Sequence, residues 1–433
     1  MTAIAHTTIT WQPSYVRYGI ATRVTGAAAM LERMEKQNRI FSGFDADAID
    51  RATADLAEVG SDKWTRYPGC IGAFIAEMDY GLAPCIQQAI DSACDHCKLG
   101  YIPEPWKRRV AEACAGWQKS HYGWDVDPDI IRVVPDVLEA YEIFLRELVG
   151  AGNAVVVPTP AYMPFLSVPR LYGVEVLEIP MLCAGASESS GRNDEWLFDF
   201  DAIERAFAAG CHAFVLCNPH NPIGKVLTLA EEQRLCELAE RYDVRIFNDE
   251  IHAPFVYQGH THVPFASINR QTAMQAFTST SASKSFNIPG TKCAQVILTN
   301  SDDLELWMRN AEWSEHQTAT IGAIATTAAY DGGAAWFEGV MAYIERNIAL
   351  VNEQMRTRFA KVRYVEPQGT YIAWLDFSPL GIDDPADYFF KKANVALTDG
   401  RECGEVGRGC VRMNFAMPYP LLEECFDRMA AAL

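Results

Sequence analysis

The sequence predicts an α/β protein in which a large unit, built on a mostly parallel sheet sandwiched by helices, is followed by a smaller α+β unit. Short apolar runs alternate with helix-spaced runs from Ile130 to Leu298, the pattern of parallel strands whose crossover helices cover both faces of a sheet. Beyond a long helix-spaced stretch, Trp336–Phe359, the order becomes strand Ala373–Phe377, helix Pro385–Ala393, strand Cys410–Phe415 and helix Leu421–Leu433. That is a second, smaller unit.

Taken in order, residues 1–39 carry little pattern and read as an arm. Ala, Leu and Ile recur at intervals of three and four from Asp45 to Val59, which predicts a helix. Pro84 suits the first turn of a helix over Cys85–Cys97, and Gly100-Tyr101 makes a short loop before a helix from Trp106 to about His121. Strand Ile130–Val134 ends at Pro135-Asp136-Val137-Leu138, ahead of helix Glu139–Val149. A strand-to-helix turn of this kind leaves unpaired N–H groups at a positive dipole end, a natural phosphate site. Strand Ala154–Val157 then leads into Thr159-Pro160-Ala161-Tyr162.

The alternation continues with strand Val174–Ile179, helix Asp201–Ala208, strand Ala213–Leu216, helix Leu229–Tyr242 and strand Val244–Phe247, with Ser187–Gly191 as a short flexible loop. Ala273–Phe277 and Cys293–Leu298 read as two strands joined by a loop that includes Lys284. Gly332-Gly333 breaks the helical run that begins near Thr318. Asn221, Asp249 and Lys284 each follow a predicted strand, and ligands of parallel sheets sit at the strands' carboxyl ends.

Composition narrows the partners. The 433 residues carry 37 basic against 56 acidic side chains, a formal charge of -19. No basic cluster exists to displace counterions, which argues against nucleic acid. No run of 18 apolar residues and no basic, then apolar, N-terminus occurs, so no membrane partner is expected and the protein is read as cytoplasmic. Thirteen scattered cysteines fit a reducing compartment. Cys94-x-x-Cys97 has no second pair at a zinc-like spacing, so it reads as two helix positions, one of them in the core, and no metal is expected.

The chemistry gathers in Ser279–Lys292, S-T-S-A-S-K-S-F-N-I-P-G-T-K. A lone loop lysine is ordinarily a solvated charge. A lysine held at a strand end with few neighbouring charges is instead a candidate nucleophilic amine. Upstream, C-N-P-H-N-P-I-G-K-V follows strand Ala213–Leu216 and N-D-E-I-H follows Val244–Phe247.

The order N-P-H-N-P-x-G, D-E-I-H and S-x-S-K-S-F-N-I-P-G resembles the fold-type I pyridoxal-phosphate (PLP) enzymes of aminotransferase class I/II. It is most similar to their C–S β-lyase branch, the cystathionine β-lyases of MalY/PatB type. Further matches lie at Ala76–Ile86, Thr159–Tyr162, Gly369–Asp376 and Gly404–Asn414. The resemblance implies a fold-type I PLP-dependent architecture: residues 1–80 as an arm and a segment joining the small domain, 81–315 as the PLP-binding domain and 316–433 as the small domain.

It also implies roles. Lys284 would hold the cofactor aldehyde and later act as general base. Asp249 would keep the pyridine nitrogen charged, Asn221 would donate to the phenolate oxygen, and Tyr162 would stack on the ring. Val137, Leu138, Ser281, Ser283 and Lys292 would hold the phosphate, Lys292 standing where class I enzymes usually offer arginine. Tyr101 would reach the neighbouring subunit's phosphate in a homodimer with sites at the interface. His252 either lines the cofactor or packs. Arg412 would bind the α-carboxylate of a small amino-acid substrate. The expected reaction is α,β-elimination from cystathionine or a related cysteine S-conjugate, with aminotransfer to a 2-oxo acid as the alternative on the same residues.

Overall fold

A computed structural model describes residues 43–51, 56, 60–184 and 195–433. The arm, most of the second half of the helix expected over Asp45–Val59, and the Ser187–Gly191 loop lie outside the described residues, and Ala46–Arg51 is the helical part seen.

Seven strands form the main sheet: β1 Ile131–Val134, β2 Ala154–Thr159, β3 Glu175–Pro180, β4 Ala213–Cys217, β5 Arg245–Asp249, β6 Ala276–Thr280 and β7 Ala294–Ile297. Their order is β1-β7-β6-β5-β4-β2-β3, with β7 antiparallel to both neighbours and the other pairs parallel. The expected mostly parallel sheet is therefore present. Its strands are apolar on both faces: Val155, Val157 and Phe247 enter one core, while Val156, Phe214 and Ile246 enter the other. Each such buried side chain contributes about 1.5–3 kcal/mol. A one-residue register slip would merely exchange two apolar faces, so register is set by the packed helices instead.

The helix after β1 starts at Val137, two residues earlier than expected, because the Asp136 carboxylate accepts from the Glu139 N–H at 2.9 Å and caps it. Helix Leu229–Tyr242 has the expected bounds, fixed by a Thr228–Glu231 capping box. The strand before Lys284 lies three residues later than expected. Asn269 and Thr272 form a capping box that takes Arg270–Gln275 into a helix, so β6 begins at Ala276. Cys94 and Cys97 are both exposed, and Cys97 lies beyond the helix end at Asp95 with φ 54°, which corrects the expectation of a core cysteine.

The second sheet is antiparallel: β8 Arg363–Tyr364, β9 Ile372–Asp376, β10 Thr398–Asp399 and β11 Cys410–Asn414, in the order β8-β9-β11-β10. Ile71–Gly72 pairs in parallel with Val395–Ala396, and the chain that follows runs along this unit toward the lysine turn. Among the described residues no helix is long and apolar enough to cross a membrane.

Candidate active site

Three neighbouring strands end level with one another. Cys217 pairs with Asp249, and Asp249 with Ser279, so the segments after β4, β5 and β6 emerge side by side at the carboxyl edge of the sheet. They line a cavity of about 430 Å³ that contains Asn221, Asp249, His252, Ser281, Ser283 and Lys284. Val137, Leu138, Tyr162, Lys292 and Arg412 complete its expected wall.

Lys284 sits in a one-turn helix, Ala282–Ser285, and donates from Nζ to the Ala76 carbonyl at 2.8 Å. Desolvation by its surroundings lowers its pKa to about 8, helped by the Arg412 guanidinium and opposed by Glu77 and Asp249. The Asp249 carboxylate accepts from the Ile251 N–H at 3.0 Å and is 4% exposed. Burial raises its pKa to about 7, with Glu250 adding to the rise and Lys284 opposing it. His252 is buried, burial lowers its pKa to about 3, and its Nδ1 has no partner among the described residues. It is a neutral ring on the cavity wall.

Arg412 projects from β11, where it pairs with Trp374 and Thr398. Its guanidinium donates to the Phe74 carbonyl at 2.7 Å and to Asn221 Oδ1 at 3.4 Å. It is 4% exposed, yet no carboxylate among the described residues pairs with it. A buried, uncompensated cation is costly unless a ligand neutralises it. The cavity is built to receive an anion.

The opposite corner holds the first turn of helix Val137–Phe144. Its Glu139 N–H is taken by Asp136, and the amides of Val137 and Leu138 are first-turn donors with no helical acceptor. Lys292 pairs with Asp136 at 2.8 Å, while Ser281 donates to the Cys293 carbonyl at 2.9 Å and accepts from the Ser283 N–H at 3.0 Å.

Residues 77–429 match the family model described as aminotransferase class I and II. The chain belongs to that family. It is 31% identical over 373 residues to cystathionine beta-lyase of Corynebacterium glutamicum, covering 86% of this chain and 96% of that one. It is also 31% identical over 385 residues to cystathionine beta-lyase PatB of Bacillus subtilis strain 168, covering 86% and 96%. Among solved structures it is similar to cystalysin from Treponema denticola, which contains a pyridoxal 5'-phosphate cofactor. There the TM-score is 0.80 at 26% identity, with 86% of this chain and 95% of that one covered.

One expected site residue of this class I/II chain lies apart. Tyr101 is 95% exposed and lines a separate cleft with Ile102, His316 and Thr320. Sequence reasoning also passed over residues that shape the cavity. Asn287, quoted in the lysine motif without a role, clamps Met78 through both backbone groups. Its signal was present, since a side-chain amide two residues before a Pro-Gly turn tolerates the left-handed backbone it adopts, φ 55°. Arg66, Phe74, Thr398 and Glu402 also reach the cavity. They come from two distant stretches, and only the tertiary fold unites them.

Proposed function

We propose that this chain is a PLP-dependent C–S β-lyase that cleaves cystathionine or a related cysteine S-conjugate to a thiol, pyruvate and ammonia. The observation that carries this reading is one cavity in which a lysine of pKa about 8, a buried carboxylate and a buried arginine without a carboxylate partner converge. The donor set fits the cofactor. Asp249 suits a protonated ring nitrogen, Asn221 the phenolate oxygen and Tyr162 a ring face. The amides of Val137 and Leu138, with Ser281, Ser283 and Lys292, suit the phosphate. The unpartnered His252 Nδ1 is a further polar atom that a ligand can satisfy.

Bound there, PLP supplies an electron sink for the pair left when the α-proton departs. Arg412 grips the substrate α-carboxylate by its planar fork and so fixes the direction of the Cα–H bond. Lys284, a free amine in an appreciable fraction at neutral pH, takes the α-proton as general base. The Cβ–S bond breaks, the thiolate leaves and gains a proton, and one water is consumed as the three-carbon fragment ends as pyruvate and ammonia.

The protein acts as a homodimer in this reading, supported by a Tyr101 side chain that stands outside its own cavity. It resides in the cytoplasm, a placement supported by thirteen cysteines scattered along the chain instead of gathered in a compact framework.

The test is incubation of purified holoenzyme with L-cystathionine and no oxo acid. Sustained release of pyruvate and free thiol is expected. Turnover that requires an added 2-oxo acid would instead identify an aminotransferase.

A further inference from the structure

The thirteen cysteines divide unevenly by exposure. Eight are buried and three are half-buried, and the two exposed ones are Cys94 and Cys97. They stand three residues apart where helix Pro84–Asp95 ends. The Cys97 N–H donates to the Cys94 carbonyl at 3.1 Å, and the Lys98 N–H donates to the Ala93 carbonyl at 2.8 Å. These two bonds close the helix in the turn whose left-handed position ordinarily belongs to glycine or asparagine. Cys97 occupies it with φ 54°.

That turn sets a distance. A four-residue turn closed by an N–H bonded to the carbonyl three residues back keeps its end Cα atoms within about 7 Å. Disulfides bridge Cα separations of about 4.4–6.8 Å. Both thiols are also open to solvent, so a small reagent reaches either one, whereas the eight buried cysteines are shielded from it. Beyond the turn, the Gly100 carbonyl accepts from Thr320 Oγ1 at 2.6 Å, which ties the following loop to the start of helix Thr320–Gly332. A bond between the two sulfurs would therefore fasten the other end of that loop, the one that carries the exposed Tyr101.

We infer that Cys94 and Cys97 are a redox modification site, closing to an intramolecular disulfide with a small-molecule disulfide and reopening with small thiols. One cysteine, as its thiolate, attacks a sulfur of the small disulfide, whose S–S bond breaks to release one small thiol. The second cysteine then attacks the protein sulfur of the mixed disulfide, and the second small thiol leaves. Two protein thiols are oxidised and one small disulfide is reduced to two thiols, which carry away the two protons. In a reducing compartment the pair rests as the dithiol and responds to a rise in disulfide. Neither step needs the lyase chemistry, although the thiol which that chemistry releases is of the class that reopens the pair.

The experiment takes reduced holoenzyme through oxidised glutathione under native conditions, blocks remaining thiols with N-ethylmaleimide, and maps wild type, Cys94→Ser and Cys97→Ser by mass spectrometry. In wild type the tryptic peptide 67–98 is expected to lose two hydrogens, with neither Cys94 nor Cys97 carrying maleimide or glutathione. Dithiothreitol should restore both thiols. In each serine variant the remaining cysteine should keep one glutathione, because no second thiol displaces it. An unchanged far-ultraviolet circular dichroism spectrum shows that each variant is folded. Wild type that retains maleimide or glutathione at these positions, or that links them to a second chain, overturns the inference and leaves the lyase reading untouched.

Discussion

Asn287 holds both backbone groups of Met78, accepting from its N–H at 2.9 Å and donating to its carbonyl at 2.6 Å. The same stretch is gripped by Lys284 and Tyr371, which donate to the Ala76 carbonyl, and by Asn414, which donates to the carbonyls of Ile75 and Glu77. Asn287→Ala removes two hydrogen bonds, strands the Met78 groups and places alanine at φ 55°. The expected cost is about 2–4 kcal/mol, read as a lower urea midpoint. It should be accompanied by a drop of tenfold or more in kcat/KM, because the stretch whose Ala76 carbonyl accepts from Lys284 loses one of its holds.

Asp249 gives a prediction for the apoprotein. Its pKa is about 7 when folded against 3.8 for the free side chain, so between those values the native state holds a proton that the unfolded chain has released. This group's contribution is fully present below pH 3.8 and is lost as pH rises through about 7, at up to about 1.4 kcal/mol per pH unit. Asp249→Asn removes that loss. Denaturation of both apoproteins at pH 5 and pH 8 should show the variant gaining on wild type at the higher pH. A constant difference would contradict the assignment.

Arg412 offers a test of geometry against charge. Arg412→Lys keeps the cation but loses the fork and cannot reach Phe74 and Asn221 together. A fall in kcat/KM of about 30- to 1000-fold is expected, equivalent to about 2–4 kcal/mol. Cofactor absorbance should persist, since Arg412 is assigned to the substrate. Loss of the bound chromophore in this variant would move Arg412 to the cofactor.

Lys292 separates stability from binding. Its pair with Asp136 is exposed, 55% and 40%, and such a pair contributes about 0–1 kcal/mol. Lys292→Ala should therefore leave apoprotein stability within about 1 kcal/mol. It should raise the PLP dissociation constant about tenfold, because Asp136 then faces the phosphate uncompensated. Equilibrium titration of apoprotein with PLP decides this, and an unchanged constant would remove Lys292 from the phosphate corner.

The strands of the main sheet were legible because each is a short apolar run closed by polar residues, as at Ala213–Cys217, and the motifs after them named Asn221, Asp249 and Lys284. The boundaries that shifted did so through local side-chain chemistry. Asn269 and Thr272 turned an apolar run into a capped helix, and Asp136 drew a helix start forward. The rim of the cavity was not legible at all. Arg66, Phe74 and Glu402 stand in stretches with no periodic signal, and their meeting depends on the parallel pairing of Ile71–Gly72 with Val395–Ala396.

That Arg412 projects from the antiparallel sheet, whereas Asp249 ends a strand of the mostly parallel one and Lys284 sits in the helical turn beyond the next strand, has a mechanical outcome. An amino acid seated between them is a strut joining the two sheets, so its arrival should stiffen the enzyme. Heat resistance should then track occupancy by any compound carrying the paired amine and carboxylate, including those that never react.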